Sequence, residues 1–245
     1  MRRVVLAAVV GLLVAACAPS SSVTTTLPPV GPTTTVVTTT SQQTTTTAAP
    51  TTTTIPGEPI DIGPREGDIL MVVGVAHDDL LNLRALPGPD QEILGRIPPT
   101  YEDLKALGET RSLPNALWVK VSYQGMTGWV HMSFVGYMGP TDDLTHQVVA
   151  DLGGYPTATD MTALGAIVAN TFASEEPASL VVIVVEESVG DLGEVTYDVV
   201  GIGDDAVLGF RIHVFGEPGT GGLSLVSAEV TTVCGRGISP DGLCP

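Results

Sequence analysis

In the stretch VCGRGISPDGLCP, Cys234 and Cys244 stand ten residues apart. Two thiols at this spacing could form a disulfide, bind a metal or supply a nucleophile. A structural zinc site takes about four ligands, but the pair lacks CxxC spacing and His213 is the nearest candidate partner. A thiolate nucleophile needs a base beside it, and no histidine follows either cysteine. A serine elbow, G-x-S-x-G, is missing, as is the phosphate-binding G-x-x-x-x-G-K-[ST]. GIGDDAVLG has the glycines of a nucleotide fingerprint without its strand-to-helix context. Asp204-Asp205 within it read as a hairpin turn, where Asp and Gly are preferred. Arg211 and His213 share one strand face, expected to be the solvent face. The acid pairs Asp78-Asp79 and Asp142-Asp143 have no visible general-acid partner. These residues imply no catalytic site, no metal site and no cofactor.

The N-terminus sets the compartment. MRRVVLAAVVGLLVAACAPS has Arg2 and Arg3, an apolar run from Val4 to Val14, and small residues before Cys17. Such a run is shorter than the ~20 apolar residues of a membrane span and fits a cleaved secretory signal. Val14-Ala15-Ala16-Cys17 resembles a bacterial lipobox. The resemblance implies cleavage of residues 1–16 and lipidation of Cys17, with the chain held on the extracytoplasmic face of a cell membrane. Each buried CH₂ of the acyl chains contributes ~0.8 kcal/mol to that anchor. In an oxidising compartment Cys234 and Cys244 read as a structural disulfide. A loop this short gives it ~2–3 kcal/mol in the chain-entropy account.

Acids outnumber bases, with a net charge of −17. That charge argues against nucleic acid as a partner. From Ser21 to Pro56 the chain has no charge and no aromatic, and is rich in threonine. It lacks the large apolar side chains that offset chain entropy, so residues 17–63 read as a disordered Thr/Pro-rich linker. A β-rich part is expected over 64–139 and an α+β part over 141–245, with Gly139-Pro140 as the break.

In the first part, strands are expected at Ile69 to Val75, Leu80 to Leu86, Gln91 to Ile97, Leu104 to Thr110, Trp118 to Tyr123 and Thr127 to His131. Arg111 to Ala116 reads as an enlarged loop. Short strands between turn residues suggest a small barrel. In the second part, Leu144 to Leu152 reads as a short helix. Thr157 to Ala173 reads as a better one, capped by Thr157 with Asp160. Met161, Leu164, Val168 and Phe172 form its apolar stripe. Four strands follow. Leu180 to Val185 is continuously apolar and is expected to be central and buried on both faces. Glu194 to Val200, Val207 to Phe215 and Leu223 to Val233 complete a mostly antiparallel sheet. Leu208, Phe210, Ile212 and Val214 are expected on one of its faces.

LNLRALPGPDQEILGRI followed by LWVKVSYQGMTGWVHMSFV resembles a bacterial SH3-like domain. The resemblance covers about 70 residues in several ordered motifs. It implies a binding module for cell-wall peptides or glycans, with Asn82, Arg84, Trp118, Tyr123 and Trp129 as candidate ligand contacts. Aromatic faces suit sugar or peptide stacking, and Arg84 could fork onto a carboxylate. The opposing reading has the two tryptophans filling the barrel core. The fold expected is therefore multi-domain and β-rich: an SH3-like barrel, then one or two helices on a four-stranded sheet. The leading functional expectation is a non-catalytic, membrane-anchored lipoprotein that engages peptidoglycan. Its rival is a lipoprotein that binds or regulates a cell-envelope protein. The missing motifs argue against a third reading, a hydrolase with an unrecognised C-terminal site.

Overall fold

The computed structural model describes residues 54–219 and 221–245. The expected signal segment, Cys17 and the tether up to residue 53 lie outside them.

The first strands are β1 (Glu58–Ile60), β2 (Ile69–Val72), β3 (Leu81–Arg84) and β4 (Ile93–Ile97). Then come β5 (Leu104–Leu113), β6 (Ala116–Tyr123), β7 (Met126–His131) and β8 (Val135–Asp143). Helix α1 (Thr145–Leu152), the short β9 (Thr157–Ala158) and α2 (Met161–Asn170) follow. The chain continues through β10 (Leu180–Val189), β11 (Gly193–Val200), β12 (Val207–Gly219) and β13 (Gly222–Cys234). The main path runs β10-β11-β12-β13-β8-β2-β5-β6-β7-β3-β4, with β1 paired to β5 and β9 to β13.

Strands β2 to β8 enclose a barrel filled by Leu70, Leu83, Ile97, Leu104, Val121 and Val130, among others. Each such buried side chain contributes ~1.5–3 kcal/mol relative to exposure. The β6–β7 hairpin turns on Gln124-Gly125, both at positive φ, as a type I′ turn requires. Two expectations change at this end of the chain. Glu58–Ile60, expected in the linker, pairs with Thr110 to Ser112. An edge strand needs ladder bonds more than apolar content and tolerates Pro59. The expected loop at Arg111 to Ala116 continues the β5–β6 ladder as far as Leu113↔Ala116, and Asn115 turns it at φ 62°.

The C-terminal sheet has α2 on one face, over Val195, Tyr197, Val199, Ile212 and Val214. Asp160, not Thr157, caps α2: its side chain accepts from the Ala163 N–H at 2.7 Å. That bond holds the Asp160 carboxyl below its ordinary range. Thr157 instead belongs to β9. Gly165 lets α2 approach the sheet closely, since a Cβ there would lie 2.5 Å from Val195 Cγ1.

The largest correction concerns LVVIVV. It forms β10, the outermost strand of its sheet, with Leu180 48% exposed. The strand buried on both faces is β11. Its second face carries Thr196 and Asp198, polar groups that hid its burial in the sequence. Leu208 also changes sides. A register shift between Val207 and Gly209 turns it away from Phe210, because a bulge offsets the alternation. It packs with Met71, Val73, Val200 and Val233 instead.

Gly139-Pro140, read as a domain break, lies inside β8. That strand pairs with β2 at Val135 and Gly136, and with β13 from Tyr137 to Asp143. Thr52–Pro245 forms one compact unit. The Cys234–Cys244 disulfide is formed. Cys234 is buried in the barrel cluster, and Cys244 packs against it.

Candidate functional site

Alternation along the strands decides which side chains leave the barrel interior. On β6, Val119, Val121 and Tyr123 point inward, so Trp118 and Lys120 point outward. Cross-strand partners share a face: Trp118 pairs with His131, and Lys120 with Trp129. Trp129 also pairs with Arg84. One outer face of β3, β7 and β6 therefore carries Arg84, Trp129, His131, Lys120 and Trp118. Asn82 joins them, two residues before Arg84.

Part of this face opens into a cleft of about 460 Å³. Asn82, Arg84, Trp118 and His131 line its barrel side, and the loop Gly74 to Ala76 lines another. Leu180 and Val182 of β10 also line it. The cleft thus brings together three of the five candidate contacts: Asn82, Arg84 and Trp118.

The other two are elsewhere. Tyr123 is inside the barrel cluster, edge-on to Tyr101 with ring centroids 4.8 Å apart. Trp129 is 2% exposed and does not line the cleft. The Lys120 ammonium lies 5.8 Å from its ring centroid, within cation–π range. Neither tryptophan belongs to the barrel's interior cluster. Both are buried on its outer face, so they neither fill the interior nor offer an open stacking platform.

Arg84 Nη1 donates to the Gln91 carbonyl at 2.7 Å, bracing the turn between β3 and β4. Its other guanidinium N–H groups are additional donors. Trp118 is 4% exposed, and its Nε1–H finds no partner among the described residues. His131 stands edge-on to Trp118 at 5.4 Å. Its Nδ1 accepts from the Ser133 N–H at 3.2 Å, which places the proton of the neutral ring on Nε2. Burial lowers the His131 pKa below its ordinary 6.5.

Sequence reasoning missed what holds the far side of this cleft. Arg211 was expected on a solvent face but is buried. Its Nε donates to Asp198 Oδ1 at 2.9 Å, and Nη2 to Asp198 Oδ2 at 3.0 Å. Nη2 also reaches the carbonyls of Val72 at 2.8 Å and Pro99 at 3.1 Å. Nη1 reaches Glu102 at 3.2 Å. Asp198 Oδ2 accepts from the Gly74 N–H at 2.9 Å. Gly74 sits at φ 66°, a left-handed conformation that suits glycine. The buried pair thereby fixes the loop that lines the cleft. An acid on β11 and an arginine on the next strand, paired as Asp198 opposite Arg211, were the available signal.

A second hollow of about 340 Å³ is lined by Glu102, Thr196, Arg211, His213 and Glu229, among others. Arg211 is committed to its buried partners there, and His213 Nε2 lies 3.4 Å from Glu194. Asp204, read as a turn residue, accepts from the Ala206 and Val207 N–H groups, both at 2.7 Å. Among the described residues, no three His, Cys, Asp or Glu side chains are grouped to hold a metal ion. No helix among them is long and apolar enough to cross a membrane.

A small antiparallel barrel with a cleft on its outer strand face has the architecture of an SH3-like binding module. Residues 79–136 match the family model described as bacterial SH3 domain, and the chain carries a bacterial SH3 domain there. No curated protein and no solved structure matches the chain.

Proposed function

We propose that the chain is a non-catalytic lipoprotein, anchored through Cys17 on the extracytoplasmic face of a bacterial cell membrane. Its SH3 domain binds cell-wall peptide or glycan. The observation that carries this reading is the cleft on that domain, where Asn82, Arg84 and Trp118 meet. Such volumes suit small ligands held by a few convergent polar groups. Retention of the mature protein on purified cell wall tests it. Retention is expected, with a clear loss on Asn82→Ala at unchanged thermal stability. No retention by a folded protein removes the wall-binding reading. Cys17→Ser is expected to release the protein from membranes; a variant that stays bound there refutes the lipid anchor.

One observation favours a second reading, in which the lipoprotein binds an envelope protein. Leu180, Val185 and Val189 are exposed along the outermost strand β10, and open apolar edges pair readily with other chains. Capture of a folded envelope protein without any wall retention would select that reading.

A further inference from the structure

We propose that the cleft's ligand is an extended peptide bearing a carboxylate, which adds to the free edge of β10. It is then held jointly by the SH3 domain and the C-terminal sheet. This inference rests on the wall-binding reading and selects peptide over glycan.

Three observations carry it. The first is the state of the aromatic rings. Glycan recognition uses open ring faces for stacking, but Trp118, Tyr123 and Trp129 are 4%, 6% and 2% exposed. The walls are largely aliphatic, from Val75, Leu80, Leu81, Leu180 and Val182, with the partly buried rings of His131 and Phe134 at one side. Small apolar side chains suit such walls better than a row of hydroxyls does.

The second is the edge itself. Among the described residues, strand β10 pairs with a strand, β11, on one side only. On its other side the Ile183 carbonyl accepts from the His77 N–H at 2.8 Å. In an antiparallel strand, successive residues turn their backbone groups to opposite sides. The N–H and C=O of Val181 therefore face the same open side as those of Ile183. Among the described residues, no loop backbone bonds Val181 there. An incoming strand can continue the pairing that His77 begins, which is how sheet edges capture extended peptides.

The third is charge. Among the described residues, Arg84 is the one Lys or Arg lining the cleft, and one of its guanidinium nitrogens is held by Gln91. The remaining donors form a fork that fits a carboxylate. The protein is strongly acidic overall, so an anionic ligand needs this local cation to be held.

The test compares whole purified wall, sugar-free peptides released from it and peptide-free glycan strands. Each is titrated against the full mature chain, wild type and Leu180→Glu. Leu180 is half exposed, so the substitution is expected to leave the thermal midpoint unchanged. Whole wall and free peptides should bind, while glycan strands should not. Leu180→Glu should weaken peptide binding at least tenfold, and amidating the peptide carboxyl should do the same. Binding confined to glycan strands, or peptide binding indifferent to Leu180→Glu, overturns the inference and leaves wall binding standing. Failure of whole wall to bind removes both.

Discussion

Replacing Arg211 by methionine should destabilise the folded unit as a whole. The side chains of Arg211 and Asp198 are 10% and 1% exposed, so solvent screens their attraction little. Methionine keeps most of the apolar stem but leaves Asp198 charged and buried. Its remaining partner is the Gly74 N–H. Removing one member of a buried pair costs about 3–5 kcal/mol, a large share of the 5–15 kcal/mol typical of a domain. Urea unfolding of the mature chain measures this. Tryptophan fluorescence reports the barrel, which holds both tryptophans, and far-UV circular dichroism reports the whole fold. The two transitions should coincide in the wild type and shift together in the variant. Adding Asp198→Leu removes the stranded charge, so the double variant should be no less stable than Arg211→Met alone. A loss below about 1 kcal/mol would refute the argument. So would a circular-dichroism shift with the tryptophan transition unmoved, since the pair would then not join barrel to sheet.

Gly165→Ala sets two effects in opposition. Helix propensity favours alanine by about 1 kcal/mol, but the new Cβ would lie 2.5 Å from Val195 Cγ1 and 2.6 Å from Tyr197 Cε2. Overpacking of this kind costs about 1–3 kcal/mol, so urea melts should show net destabilisation; a stabilised variant would mean α2 can shift freely. His131 should make stability fall as pH drops. Its folded pKa lies below the ordinary 6.5, so the unfolded chain takes up the proton first. The loss begins near pH 6.5 and is complete below the folded pKa, while above 6.5 the residue contributes nothing. His131→Asn should flatten that slope, and an unchanged slope would assign it to another group. Replacing Cys234 and Cys244 together by alanine should cost about 2–3 kcal/mol from loop entropy. An unchanged urea midpoint would show that packing alone holds the C-terminal segment.

The barrel was legible because its signals are local. LNLR and GWV each sit on a short strand, and the glycine-proline turn follows the first of them. The cap of α2 was legible only in part, since Thr157 and Asp160 both suit an N-cap and tertiary pairing to β13 claimed Thr157. The sheet order was not legible. LVVIVV looks central because hydrophobicity is the usual sign of two buried faces, yet it lies at an edge. GEVTYDVV looks half-exposed because its second buried face is filled by an ion pair. Asp198 reads as a surface residue until Arg211 is known to lie opposite it in the ladder. The same blindness affected the site. Asn82, Arg84 and Trp118 could be selected from the barrel motif, but Leu180 and Val182, about a hundred residues away, could not.

That distance makes the cleft depend on both parts of the chain. The barrel supplies donors on one outer strand face, and β10 supplies aliphatic side chains and an unpaired backbone edge. Nothing in either sequence segment fixes their separation. It is set by β8, which pairs with β2 and β13, and by Arg211, which reaches Asp198 and the carbonyls of Val72 and Pro99. Asp198 then holds the Gly74 N–H, and Gly74 lines the cleft, so the ion pair fixes a wall of the cleft. A substitution that loosens Asp198 should therefore weaken ligand binding without touching a ligand contact. Asp198→Asn provides that separation, since it keeps the shape and removes the charge. Its binding loss should exceed that of an equally destabilising change at Gly165, which lies on α2 against the opposite face of the sheet and does not line the cleft. Equal losses would mean that binding follows global stability, and the clamp would have no local role.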